Sequence, residues 1–228
     1  MKKLILVLLP VLVLLVGCNK EKAYTYSGIE AGTLSGGVFT SDSGTQMTVV
    51  GNEHHFDISS TRRVVISYET RPITGTGPIE IDLQNLLDAG ILQAVHARSL
   101  PADPTGSPVQ VNDAWFSEDY LNILATFEGK DADKHAFEAA FTVDEKELTF
   151  RLDHDGSQDA VTGGTTLSIF LCIPMYDPTV SFEQYSQAQA LKPAYPVPVV
   201  LQWTGRTLEG GPLTLFERKG NYAPRRDN

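Results

Sequence analysis

Apolar residues recur at every second position along this chain, and that period limits its possible folds more than any other feature. Ile79, Ile81 and Leu83 alternate with Glu80, Asp82 and Gln84, which puts aliphatic side chains on one face of an extended segment and polar ones on the other. Val64, Ile66 and Tyr68 repeat the pattern, as do Leu121, Ile123, Ala125 and Phe127, and then Leu148, Phe150 and Leu152. Further strands are predicted at 167–173, 197–204 and 213–216, with weaker ones at 37–40, 47–50 and 93–100. Turn chemistry separates these runs, as in Thr74-Gly75-Thr76-Gly77-Pro78 and Asp155-Gly156-Ser157. Many short strands between turns predict an all-β protein. Helical patterns are confined to residues 85–89, enough for one turn, and 182–191, a short surface helix.

The chain begins with Met1, Lys2 and Lys3, followed by an aliphatic run over residues 4–16 broken only by Pro10. A basic start and a short apolar run make a secretory signal peptide. The run stops before Asn19, Lys20 and Glu21, short of the roughly 20 residues that a spanning helix needs. Its end, Leu15-Val16-Gly17-Cys18, resembles a bacterial lipobox, in which the cysteine thiol takes up a diacylglyceryl thioether and becomes the new N-terminus. Cys18 is therefore the expected membrane anchor. Each buried methylene contributes about 0.8 kcal/mol, so two or three acyl chains hold such a protein firmly.

Loss of Lys2 and Lys3 with the signal leaves 16 basic residues against 28 acidic ones, a net charge of −12. That charge lacks the attraction to phosphate backbones on which nucleic-acid binding depends, and nucleic acid is not an expected partner. Beyond the anchor the body should stand off an anionic bilayer, within a Debye length of about 8 Å. Of two cysteines only Cys172 remains once Cys18 is acylated, so an intramolecular disulfide is ruled out. Cys172 lies in the apolar run Leu167-Ser168-Ile169-Phe170-Leu171-Cys172-Ile173, where a thiol is expected to be buried and inert.

Three prolines and one glycine within residues 101–108 resist ladder pairing and favour a stiff connection. They divide the chain into a signal peptide (1–17), a lipidated cysteine with its tether (18–36), a first β unit (37–104) and a second (109–228). Five strands in the first suit a small OB-like barrel. The number and spacing of strands in the second suit a β-sandwich.

In the second unit the chain reads Asn112-Asp113-Ala114-Trp115-Phe116-Ser117-Glu118-Asp119-Tyr120-Leu121-Asn122-Ile123, then Lys134-His135-Ala136-Phe137, then Leu148-Thr149-Phe150-Arg151-Leu152-Asp153-His154-Asp155. This order, together with the Arg63-Val64-Val65-Ile66-Ser67-Tyr68 strand, resembles the NigD-like lipoproteins of Bacteroides and Prevotella relatives over essentially the whole mature chain. The resemblance implies an N-terminal OB-like domain, a C-terminal β-sandwich, outer-membrane anchoring facing either the periplasm or the surface, no established catalytic residue and a bacteriocin-associated or immunity role.

Trp115 and Tyr120 flank Ser117 and Asp119 at the start of a strand. They read either as an aromatic contact for a ligand or as a core residue (Trp115) and a rim hydrogen-bonder (Tyr120); Asp119 and Asn122 read as turn and edge groups. His54, His55 and Asp57 have ligand chemistry but lack a second pair at zinc spacing, and His135 near Asp131 and Asp133 reads the same way. Asp153, Asp155 and Asp159 around Gly156 suggest a calcium turn without the full loop pattern. There is no Gly-x-Ser-x-Gly, and Gly75-Thr76-Gly77 precedes a strand where a phosphate cradle would follow one. The expectation is a non-catalytic envelope lipoprotein without cofactor or metal that binds another macromolecule, an envelope protein or glycan, in a bacteriocin-associated or immunity role. The alternative is a carbohydrate-binding accessory, which requires exposed aromatic rings.

Overall fold

The period-two segments form strands in the computed structural model, which describes residues 24–73, 77–117, 120–143, 147–159, 164–175, 196–208 and 210–222. The first five are β1 (Ser27–Ser35), β2 (Val38–Ser41), β3 (Gln46–Gly51), β4 (Arg62–Thr70) and β5 (Ile79–Ile91). They close into a ring in the order β1-β2-β3-β5-β4 and back to β1, with β3 and β5 parallel and the other pairs antiparallel. That is the five-stranded Greek-key barrel of OB-like proteins. Leu34, Phe39, Met47, Val64, Ile66, Tyr68, Ile81 and Leu83 fill it. Gly36 and Gly37, with φ of 57° and 78°, turn β1 into β2 as a two-residue loop needs.

Residues 27–35, expected in the tether, are a barrel strand instead. Gly28 and Gly32 dilute the alternation there because a side chain would strike Tyr68 at the first and the β2 backbone at the second. Residues 85–89, expected to make a helical turn, lie within β5. Pairing with β4 from Val64↔Asp88 onward overrides their local preference. Residues 182–191 lie outside the described residues.

The remaining strands are β6 (Val95–His96), β7 (Gln110–Ser117), β8 (Tyr120–Gly129), β9 (Ala136–Val143), β10 (Leu148–Asp155), β11 (Thr165–Pro174), β12 (Val197–Arg206) and β13 (Leu213–Tyr222). One sheet runs from the end of β5 through β11 and β8 to β7, and the other has the order β13-β12-β10-β9-β6. Between them lies a core that includes Leu121, Ile123, Phe127, Phe150, Leu152, Leu171, Leu201 and Trp203. The chain is all-β: a small OB-like barrel followed by a β-sandwich.

β5 joins the two units. Along most of its length it pairs with β4, and its last residues, Ala89 to Ile91, pair with Phe170 to Cys172 of β11. β6, which precedes the prolines, pairs with β9 in the sandwich. The passage from barrel to sandwich therefore runs along β5 and not through residues 101–108. That proline-rich segment is a strap across β10 and β12: Thr105 donates its N–H to Thr204 Oγ1 (3.0 Å) and its hydroxyl to Asp153 Oδ1 (2.8 Å), and the Ser107 N–H donates to the His154 carbonyl (2.7 Å). A proline has no N–H to give a ladder, but a run of them can cross the outside of one.

Candidate functional site

The sheet bends at β5, so that outward residues of β1 and β4 on the barrel meet the back of the sandwich sheet. Ala31, Val65, Phe170 and Cys172 are buried there, with Leu87, Ala89, Trp115 and Tyr120 packed around them. Arg63 crosses this junction. Its side chain is 9% exposed, and its Nη1 and Nη2 donate to the two oxygens of Asp42 at 2.9 and 2.8 Å. Nη2 also reaches Asn122 Oδ1 (2.6 Å) and Ser117 Oγ (3.2 Å), while Nε donates to Cys172 Sγ (3.1 Å). The Tyr120 ring lies 4.2 Å from the guanidinium carbon, in cation–π range. Asn122 Nδ2 donates to Ser117 Oγ (2.8 Å) and the Cys172 thiol donates to Asn122 Oδ1 (3.3 Å), completing a network that ties β4 and the loop after β2 to β7, β8 and β11.

Burial works against the charge of Arg63, but its bonds to Asp42 and Cys172 outweigh that cost and raise its pKa above the ordinary guanidinium value. Burial likewise pushes the Cys172 thiol up, with Arg63 opposing. Cys172 is a protonated, fully buried thiol, unsuited to nucleophilic chemistry.

Trp115 stacks on Phe170 with centroids 5.9 Å apart and planes 10° from parallel. It sits on the junction side of its sheet, not in the sandwich core, where Trp203 lies instead. Tyr120 serves Arg63. Asn122, expected at an edge, is completely buried because β8 runs between β7 and β11 under the barrel. Cys18, Glu118 and Asp119 lie outside the described residues. Arg63 and Asp42 were not singled out from sequence, although a signal exists. Val64-Val65-Ile66 and Phe170-Leu171-Cys172-Ile173 are unbroken apolar runs, which mark strands covered on both faces.

The other candidates separate. The Asp57 carboxylate is taken up by Ser59, Ser60 and Arg62, bonds that hold its pKa well below the usual range, while the His54 ring lies tilted beside Phe56. Asp153 accepts from Thr105 and Asp155 from the Ser157 N–H, so these carboxylates do not converge with Asp159. His135 pairs with neither Asp131 nor Asp133: its Nδ1 lies 2.9 Å from His154 Nε2, and its Nε2 lies 3.2 Å from Asp159 Oδ2. Asp159 also accepts the N–H groups of Lys130 (2.6 Å) and Asp131 (2.9 Å), and these backbone bonds, Asp131 first, lower its pKa to about 2. Among the described residues no three metal-ligating side chains converge. On the barrel, the side chains of β2 and β3 that alternate with the buried Phe39 and Met47 are Val38, Thr40, Gln46, Thr48 and Val50. None is aromatic.

No family model and no curated protein matches the chain. Solved structures do. A NigD-like immunity protein from Bacteroides caccae is 18% identical with a TM-score of 0.60, covering 88% of this chain and 97% of that one. A protein described as a lipoprotein from Bacteroides fragilis is 14% identical (TM-score 0.54; 85% and 97% covered). A protein described as toxin-related from Parabacteroides distasonis is 13% identical (TM-score 0.51; 87% and 94% covered). The likeness is one of fold, spans both units, and supports the NigD-like resemblance of the sequence. None of the three is described as an enzyme.

Proposed function

We propose that this chain is a lipid-anchored, non-catalytic protein of the cell envelope that binds another macromolecule, in an immunity-type role. The observation that carries this reading is that barrel and sandwich together share the fold of a NigD-like immunity protein over nearly the full length of both chains. The Leu15-Val16-Gly17-Cys18 sequence adds the anchor, a diacylglyceryl thioether on Cys18 in the outer membrane. The polar groups that could do chemistry at the junction are bonded to one another: Arg63 to Asp42 and Asn122, and Cys172 to Asn122. Among the described residues the site joins two units, and its charged and amide groups bond one another. A protein partner is favoured over a glycan because the outward face of β2 and β3 presents aliphatic, hydroxyl and amide groups in place of stacking rings.

The test is fractionation and crosslinking in the native envelope. Wild-type protein should require detergent for release and yield a defined crosslinked protein, whereas Cys18→Ala should appear in the soluble fraction and lose the crosslink. A Cys18→Ala chain that still requires detergent overturns the anchor. Wild-type protein that stays membrane-bound and gives no defined crosslink overturns the binding role.

A further inference from the structure

We propose that the end of the barrel where β1 begins is a membrane-facing surface: Tyr24 and Tyr26, with Pro72, Ile73 and Pro78 beside them, rest in the headgroup layer of the bilayer that holds the Cys18 lipid. This deepens the reading above and rests on its lipid anchor. Tyr24 is 66% exposed and Tyr26 44%. Pro72 and Pro78 are exposed, Ile73 is half-buried, and all three border one shallow depression where β4 passes into β5.

Backbone bonds hold these side chains as a set. Ile73 donates its N–H to the Tyr24 carbonyl (3.0 Å), Thr70 donates to the Tyr26 carbonyl (2.8 Å), and the Tyr26 N–H donates to Thr70 Oγ1 (2.9 Å). The Tyr26 ring stands edge-on to Tyr68, with centroids 6.1 Å apart. Arg71, in the same connection, donates its N–H to the Glu80 carbonyl (2.8 Å), and its guanidinium is paired with Asp82 (3.0 Å). A surface ordered before it meets its partner loses little freedom on binding.

The bilayer is the occupant for three reasons. First, Cys18 lies six positions before Tyr24, and an extended chain covers at most about 20 Å over that length. A lipid fixed at the membrane surface therefore keeps this end of the barrel close to it. Second, this end points away from the sandwich. β1 and β4 pair from Ser27↔Glu69 here to Leu34↔Arg62 at the other end, and β5 starts here at Ile79 and meets β11 only at its last residues, Ala89 to Ile91. Third, tyrosine has an apolar body and a polar tip, which suits it to the boundary between acyl chains and water. Glu69 and Glu80 are exposed nearby, so the contact is made by ring and aliphatic surface and needs no anionic lipid.

The experiment uses the full lipidated chain in phosphatidylcholine vesicles whose acyl chains carry bromine, with a fluorophore on one added cysteine. Cys172 is fully buried and Cys18 is acylated, so only the added thiol reacts. Thr25→Cys, on an exposed position between the two tyrosines, should lose emission to the bromine. Ser35→Cys, about 30 Å farther along β1, should keep it. The tether alone brings residue 25 near the bilayer, so the rings are tested directly. Tyr24→Ser combined with Tyr26→Ser should restore emission at residue 25. Tyr24→Ser alone, at the more exposed ring, should restore part of it and serves if the double variant does not fold. Flotation with the vesicles is measured on the same samples. Protein that floats without quenching at residue 25, with equal quenching at 25 and 35, or with quenching that the serine variants leave unchanged overturns this surface while the anchor stands. Protein that does not float overturns the anchor and this proposal with it.

Discussion

Arg63 and Arg151 lie at comparable places in the two units, each on the outward face of a strand with neighbours on both sides, and each is roofed by chain from elsewhere. Arg63 projects from β4 under the back of the sandwich sheet and meets a carboxylate through both of its terminal nitrogens. Arg151 projects from β10 under the strap and has no exposed surface at all. Yet only its Nη2 is bonded, to the Pro101 carbonyl and, at 3.4 Å, to Gln202 Oε1, while Nε and Nη1 have no partner. Burial pushes its pKa down, with only Asp153 pulling the other way. A buried cation that meets an anion and a full set of acceptors holds its cover in place, whereas one with two of its three nitrogens unbonded and no carboxylate partner destabilises the arrangement that hides it. The junction is therefore the fixed contact of this molecule and the strap the separable one.

The strongest way to break this contrast is Arg63→Met. Removing one member of a buried pair costs about 3 to 5 kcal/mol when the other charge is stranded. Asp42 keeps some solvent contact, its side chain being 21% exposed, so the loss should fall near the lower end, about 3 kcal/mol. Urea unfolding measures it as a lower midpoint at unchanged slope. A loss below about 1 kcal/mol, the range of exposed pairs, would mean that the network is ornamental and the two units are held by Trp115, Phe170 and Val65 alone.

How far the sequence carries follows from the same contrast. Strands with one wet face were legible, because Ile79-Glu80-Ile81-Asp82-Leu83 states its own orientation. The lateral division was harder to place. Prolines at 101–108 signal a connection, and they do leave the ladders, but a segment outside a ladder can equally be a strap over a sheet, and nothing local distinguishes the two. Arg63 was illegible as a site because its partners Asp42, Ser117 and Asn122 come from three other places in the chain. Of the two readings of Trp115, the sandwich-core one fails because the side chain lies on the other face of its sheet. A bulge between Val111 and Asp113 shifts the register of β7 against β8, and a one-residue shift exchanges the two faces. β1 was missed because its glycines yield to Tyr68 and β2, contacts that exist only once the barrel closes.

Arg151→Met sharpens the contrast by reversing its sign. Replacing an incompletely satisfied buried cation with an apolar side chain of similar length is neutral or stabilising by about 1 to 4 kcal/mol. The Pro101 carbonyl loses a donor, but Pro101 is exposed and water can replace it. A gain of about 1 to 2 kcal/mol is expected, read as a raised thermal midpoint at pH 7. A loss greater than about 1 kcal/mol would show that the bonds of Nη2 to Pro101 and Gln202 outweigh the desolvation of the charge, and the strap would have to be counted a fixed contact as well.

The smallest effect belongs to Tyr120, and it separates two ways in which the junction could hold Arg63. The ring stands 4.2 Å from the guanidinium carbon, and Tyr120 shows no hydrogen bond among those of the network around Asn122. If attraction between the cation and the ring face contributes, Tyr120→Phe keeps it and Tyr120→Leu removes it. The two variants should then differ by about 0.5 to 1 kcal/mol, the range for a partly solvated cation–π contact. If Tyr120 merely excludes water from the Asp42 pair, leucine shields it nearly as well and the two variants unfold together. If its hydroxyl matters instead, both lose equally. Urea midpoints for the pair, repeated in the Arg63→Met background, decide among these, because a cation–π term vanishes there and shielding of apolar surface does not.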